Sequence, residues 1–279
     1  MNISLIIPTR NRPQALERAL ASGGMGIESV FVVDDCSSVS VLEEVRRVCR
    51  SDARVQLLEN RKRLGAAACR NKGAEEAQSE WLLFLDDDDQ FCEGYLDSMT
   101  QLLSSHPQVQ AWIPDAQNAR QRNLSPVELS DAQARNRVGG CSGVLIRKAL
   151  FEAAGGFDED FPSMQDWDLW LGLIERHALY YSGVAGVIYD SHSEQKITHN
   201  LSAKYRGLRR LYFKHANLWP PSARQQHVLR LWVLRRLLSG RRGLLENWLA
   251  SRFQLRALYY TYRWRCFAPS QTSPSKETL

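Results

Sequence analysis

The chain has 279 residues, 44% hydrophobic and 24% charged, with a formal net charge of +5. Such globular composition excludes disorder, collagen and a disulfide-framed miniprotein, and the length suits one large α/β domain with an appendage. The longest unbroken apolar run, residues 81–85, is far below the roughly 20 residues that span a bilayer.

Residues 3–7 read as a short buried strand that stops at Pro8, and Arg12-Pro13 opens a helix with Thr9 or Asn11 near its cap. That stop also argues against a secretory leader. A second strand over 29–33 ends at Asp34-Asp35, and Ser37 or Ser38 caps a helix over 39–50. Residues 55–58 form a third strand, and a helix follows over 65–78. Residues 81–85 form a fourth strand that runs into Asp86-Asp87-Asp88-Asp89. A helix over 93–104 and a strand over 109–113 complete a β/α alternation that predicts right-handed βαβ units and a mostly parallel sheet. Residues 114–137 read as a polar loop. After them come a strand over 141–146, a short helix over 148–154, a break at Gly155-Gly156 and a helix over 166–176. Residues 179–181 and 184–189 read as two short strands that pair with each other. Helical pattern then covers 202–215, 223–239 and 244–265. The six cysteines are scattered with no CxxC pair, which predicts reduced, cytoplasmic thiols.

Charge is split along the chain. Residues 1–200 hold 20 Lys/Arg against 29 Asp/Glu, or −9, whereas residues 201–267 hold 15 against one, or +14. This divides the chain into an acidic domain over 1–200, a basic helical extension over 201–267 and a flexible tail over 268–279.

In an open α/β sheet, ligands bind at the carboxyl ends of the strands. Here those ends carry Thr9, Arg10 and Asn11, then Asp34 and Asp35, then the four aspartates. Adjacent carboxylates repel one another, and a hard dication of the Mg²⁺ or Mn²⁺ type would neutralise them. Held by one or two carboxylates, it keeps positions open for substrate phosphates. The run therefore reads as a nucleotide-diphosphate site, with a solvated acidic turn as the competing reading.

In order and spacing these pieces resemble the family 2 glycosyltransferases of GT-A fold. The matching residues are Ser4 to Arg12, Val32 to Ser37, Asn60 with Leu64 to Asn71, Phe84 to Asp89, Gly155 to Glu159 and Gln165 to Trp170. The resemblance implies a metal-dependent enzyme of the hexosyltransferase class. It would transfer one sugar from a nucleotide-diphosphate donor, UDP being the expected nucleotide, with inversion at the anomeric carbon. It implies donor contacts from Pro8, Thr9, Arg10, Asn11, Asp35, Asp86 and Asp87, with Asp35 accepting from a ring N–H of the base. Asp88, with Asp89 as its rival, falls where the family binds metal, and His192 matches a late histidine that approaches it. Asp166 falls at the position of the catalytic base, with Gln165 and Trp167 on the acceptor side. Two positions depart from the family pattern: Gln165 stands where Glu is common, and Gly172 where Arg is common. The QxxRW motif of processive synthases is missing, so transfer of a single sugar is expected.

The extension interleaves aromatic and basic residues, as in Phe253, Tyr259, Trp264 and Arg252, Arg256, Arg263. That mixture suits an anionic membrane surface. It points to a peripheral protein on the inner face of the cytoplasmic membrane, acting on a glycan or lipid-linked acceptor in envelope polysaccharide or lipopolysaccharide synthesis. A nucleic-acid-binding protein would use the same tail but leaves the acidic strand ends unexplained. A nucleotidyltransferase would want glycines after the first strand, and Thr9 to Pro13 has none.

Overall fold

A computed structural model describes residues 2–189 and 200–239. Its first elements are β1 (Ile3–Thr9), α1 (Pro13–Ala21), β2 (Ser29–Asp34), α2 (Val39–Cys49), β3 (Val55–Glu59), α3 (Ala66–Glu76) and β4 (Trp81–Phe84). Next come β5 (Gln90–Phe91), α4 (Tyr95–Ser105), β6 (Ala111–Ala116), β7 (Ser125–Pro126) and α5 (Leu129–Gln133). The described chain ends with β8 (Leu145–Arg147), α6 (Lys148–Ala153), α7 (Gln165–Glu175), β9 (Leu179–Ile188), α8 (Leu201–Lys214) and α9 (Pro221–Ser239).

Every residue of β1 is buried, as expected for a strand inside a sheet covered on both faces. β1 lies parallel to both β2 and β4, and β3 extends the parallel run from β2. The full order is β3-β2-β1-β4-β8-β6-β9-β5, with β7 also paired to β9. β8 is antiparallel to both of its neighbours, so the sheet is mixed but parallel where the expected site lies. Strand order reverses between β1 and β4, which makes their carboxyl ends a topological switch point.

Alternation along β1 feeds two cores. Leu5 and Ile7 join Leu16 of α1, Val45 of α2 and Met99 of α4. Ile6 joins Ala74 of α3, Trp170 of α7 and Leu208 of α8 on the other face. α3 can lie this close because its inner face is small: a Cβ on Gly73 would sit 2.6 Å from Ile6 Cγ2.

The α/β reading holds, but three sequence expectations change. Residues 114–137 are not one loop, because they contain the end of β6, β7 and α5. Arg122 orders them from within, pairing with Asp115 at 2.5 Å and stacking on Tyr181 at 3.8 Å. Residues 179–181 and 184–189 do not pair with each other. They form the single strand β9, bent at Gly183 (φ +71°) and paired to β6, β5 and β7. The strand expected over 141–146 starts only at Leu145, after Gly143 turns the chain at φ +78°. The expected helix over 244–265 lies outside the described residues.

The chain divides into two compact units, residues 1–235 and 236–279. The first includes α8 and α9 as far as Arg235, and Leu208, Leu211 and Ala223 are buried in its core. Among the described residues no helix is long and apolar enough to cross a membrane.

Candidate active site

The exits of β1 and β2 are tied together. Asn11 takes the left-handed conformation (φ +55°). From there its N–H donates to Ser37 Oγ (2.8 Å) and its Oδ1 accepts from the Ser38 N–H (2.8 Å). Asn11 therefore links two strand ends and does not cap α1. Asp34 is buried and accepts from the Ser37 N–H at 2.8 Å. Asp35 accepts from the backbone N–H groups of Leu64 (2.6 Å) and Gly65 (3.0 Å), which fixes the loop entering α3. Pro8 is buried within β1, while Arg10 is exposed.

The four aspartates after β4 fan out to separate partners. Asp86 pairs with Arg70 of α3. Asp87 accepts from Thr9 Oγ1 (2.8 Å) and Arg12 Nη1 (3.1 Å). Burial nevertheless pushes its carboxyl up to about 6, against the pull of Arg12 and Thr9. Asp88 accepts from the same Arg12 Nη1 at 3.1 Å. Asp89 accepts from Ser142 Oγ at 2.5 Å, and that oxygen accepts in turn from the Asp86 N–H at 3.1 Å. The side chains of Asp88 and Asp86 keep 16% and 37% of their surface open, so these two carboxylates face the solvent edge. Among the described residues no three His, Cys, Asp or Glu side chains converge as a ready-made metal cage. His192 lies outside the described residues.

Asp166 sits in the first turn of α7, which starts after Met164 in the left-handed conformation (φ +67°). Its Oδ1 accepts from the Trp167 N–H (2.8 Å), and its Oδ2 from Asn136 Nδ2 (3.2 Å). Burial pushes its carboxyl up to about 6. The Trp167 N–H and Arg70 pull it back, and Asp86 pushes it further up. Asp166, Arg70 and Asp86 thus act on one another, which brings the start of α7 and the end of β4 to one place. Tyr189, just past β9, joins them: burial raises its phenol, and so does the negative charge of Asp89 and Asp86.

Arg70 is the organising residue that the sequence reading left without a role. It is 6% exposed, its guanidinium lies 5.4 Å from the Phe157 ring centroid, and among the described residues its Nε has no hydrogen-bond partner. Burial works against its charge, and Asp86, Cys141 and Asp166 together more than offset this. Arg70 is the one long side chain among the otherwise small buried residues of α3, and an arginine on that face is the signal that could have found it. The neighbouring Asn71 clamps the 155–159 segment, donating to the carbonyl of Phe157 (2.8 Å) and accepting from its N–H (2.9 Å).

Gln165 is half-buried beside Asp166. Trp167 turns inward: it is 5% exposed and donates to the carbonyl of Ala132 at 2.8 Å. An acceptor contact from Trp167 does not agree with this placement, because the indole is committed to the core against α5. Asp168, on the far side of the turn, is buried and accepts from His215 Nε2 and Lys214 Nζ, both at 2.8 Å. That pairing fixes α8 against α7.

An α/β sheet with acidic residues at its switch point and a raised carboxylate facing them is the arrangement of a GT-A fold. Residues 4–138 match the family described as Glycosyl transferase family 2. The chain is 29% identical over 187 residues to an uncharacterized glycosyltransferase of Haemophilus influenzae, covering 62% of each chain. It is 24% identical to the Escherichia coli chain WcaA, a glycosyl transferase named for colanic acid biosynthesis, over 84% of this chain and 88% of that one. Its fold matches S. aureus TarS 1–349 in complex with UDP-GlcNAc at a TM-score of 0.66 and 18% identity, over 88% of this chain and 78% of that one. It also matches the mannosyltransferase PcManGT of Pyrobaculum calidifontis, in complex with GDP-Man and Mn²⁺. There the TM-score is 0.55 and the identity 17%, over 94% and 81% of the two chains. Residues 4–138, just under half of the chain, thus resemble family 2 glycosyltransferases, and the described fold is of the GT-A type.

Proposed function

We propose that the protein transfers a single hexosyl residue, with inversion, from a nucleotide-diphosphate sugar to a glycan or lipid-linked acceptor in envelope polysaccharide synthesis. The observation that carries this is the placement of Asp166 at the start of α7 within electrostatic reach of the Arg70–Asp86 pair, at the switch point of a GT-A fold. The nucleotide is read as UDP, seated against Thr9 and Asp35. The Asp35 oxygens accept backbone N–H groups already, which holds them in place for a further donor from the base.

Asp166 is the base. Near pH 7 it is ionised, yet its carboxyl at about 6 is basic enough to take a proton from an acceptor hydroxyl during attack. No covalent intermediate is involved, so the free thiols of Cys36, Cys49, Cys69, Cys92 and Cys141 are not needed. Arg70 holds Asp86 and moderates the charge on Asp166.

The donor set fits a hard dication that keeps substrate phosphates as ligands, since Mg²⁺ needs only one or two carboxylates there. Asp88 and Asp86 are the open ones; Asp89, bound to Ser142, is less suited. Mg²⁺ or Mn²⁺ so held would supply positive charge to the departing diphosphate. PcManGT, matched in fold, is described with GDP-Man and Mn²⁺.

The division at residue 200 is one of charge, and the +14 of residues 201–267 supports a peripheral position on the cytoplasmic face of the membrane. A thermal-shift screen of nucleotide sugars, each with Mn²⁺ and with Mg²⁺, tests the reading. Stabilisation by a UDP-sugar in the presence of a dication is expected, and no response to any nucleotide sugar contradicts it.

A further inference from the structure

We propose that a groove along α8 is a docking site for the phosphate headgroups of an anionic lipid leaflet. The groove has a volume of about 1160 Å³ and runs between α8 and the loop after α6, with Arg235 of α9 at its side. Five cations line it, Arg206, Arg209, Arg210, Lys214 and Arg235, against two acids, Asp158 and Asp160. Arg210 and Lys214 are already committed. Arg210 pairs with Asp160 (2.9 Å) and Asp158 (3.2 Å), and Lys214 with Asp158 and Asp168 (both 2.8 Å). Arg206, Arg209 and Arg235 pair with no carboxylate among the described residues; Arg209 only rests on the Phe213 ring at 5.5 Å. The groove therefore carries three uncompensated guanidiniums.

Arg206, Arg209 and Phe213 fall at i, i+3 and i+7 and share the outer face of α8. Its inner face buries Leu208 and Leu211. Phe213 is 61% exposed, a large apolar ring at the solvent edge beside these charges. α9 repeats the pattern: Val228 and Trp232, exposed and one turn apart, lie on the same face as Arg235. Guanidiniums suit phosphate oxygens, and the aromatic and aliphatic groups beside them suit the headgroup boundary of a bilayer. Residues 201–239 hold nine Lys/Arg and no Asp/Glu, an excess that supplies the long-range attraction.

Placement gives the groove a purpose that rests on the proposed transfer to a lipid-linked acceptor. Lys214 bridges Asp158 in the groove wall to Asp168, two residues after the base Asp166. A leaflet seated here is connected through Lys214 to Asp168, in the first turn of the helix that carries the base.

The test is sedimentation of the full-length chain with vesicles of mixed phosphatidylglycerol and phosphatidylcholine, and with phosphatidylcholine alone. Wild type is expected to partition onto the anionic vesicles only, and less so as salt is raised. R206E/R209E/R235E is expected to lose on the order of 100-fold or more in partitioning, with its unfolding temperature unchanged because all three side chains are exposed. R206K/R209K/R235K keeps the charge and is expected to stay within about tenfold of wild type. The proposal is overturned if the triple Glu variant partitions like wild type, or if wild type ignores anionic vesicles and instead binds RNA. No sugar donor is present in this assay, so its failure is separate from any failure of nucleotide-sugar binding.

Discussion

Replacing Asp166 with Asn removes one charge and almost no volume, and its effects on stability and on turnover are expected to have opposite signs. The wild-type carboxyl is raised from 3.8 to about 6 by burial. Between about pH 4 and pH 6 the folded protein holds a proton that the unfolded chain has released, so wild-type stability falls as pH rises through that window. The full shift corresponds to about 3 kcal/mol above pH 6, an upper bound because the half-buried carboxylate is partly solvated. Asn escapes this cost but loses the hydrogen bond from Asn136, worth about 1 kcal/mol. Asn136 cannot turn to restore it, since its Oδ1 already accepts from the Val138 and Gly139 N–H groups. Asp166→Asn is thus expected to gain about 1–2 kcal/mol at pH 8 and to show no gain, or a small loss, at pH 4. Urea unfolding at both pH values reads this directly. Sugar transfer falls by about 10²–10⁴ if Asp166 is the general base. A variant with undiminished transfer, or with the same stability change at both pH values, would refute the reasoning.

Wild-type transfer at saturating acceptor is expected to rise with pH through an apparent value near 6, read from a pH–rate profile; a rate flat between pH 5 and 8 speaks against Asp166 as the base. Arg70→Met removes the cation that lowers Asp166 and pairs with Asp86. It should move that acidic limb to higher pH and cost roughly 1–3 kcal/mol of stability, visible in the same profile and in urea unfolding. Gly207→Ala places a Cβ 2.5 Å from the carbonyl oxygen of Ser163, just before α7. Because backbone cannot swing away, a loss of about 1–3 kcal/mol is expected, with lowered transfer as the α7 start shifts; an unchanged unfolding temperature would show that α8 does not press on this segment.

Much of the fold was legible because its signals are local. The apolar runs at residues 3–7, 29–33 and 81–85 end in Pro or Asp, and those ends carry the strand exits that the site uses. Asp86 to Asp89 and Asp166 could be picked out as acids at a strand end and a helix start. What could not be read is where their carboxylates point. The four aspartates separate because Thr9, Arg12, Arg70 and Ser142 each hold one or two of them, and those partners lie far away in sequence. Trp167 is adjacent to the base, yet helical periodicity turns its indole into the core. β7 and α5 escaped notice because long-range contacts hold them: the strand through β9, and the helix through α7.

In the proposed reaction the aspartates after β4 grip the donor diphosphate while Asp166, at the start of α7, serves the acceptor. Equilibrium binding of a UDP-sugar in Mn²⁺, compared among wild type, Asp88→Asn and Asp166→Asn, tests it most directly. Asp88→Asn is expected to lose metal-dependent donor affinity, while Asp166→Asn binds donor as wild type does. Undiminished donor binding by Asp88→Asn would contradict it.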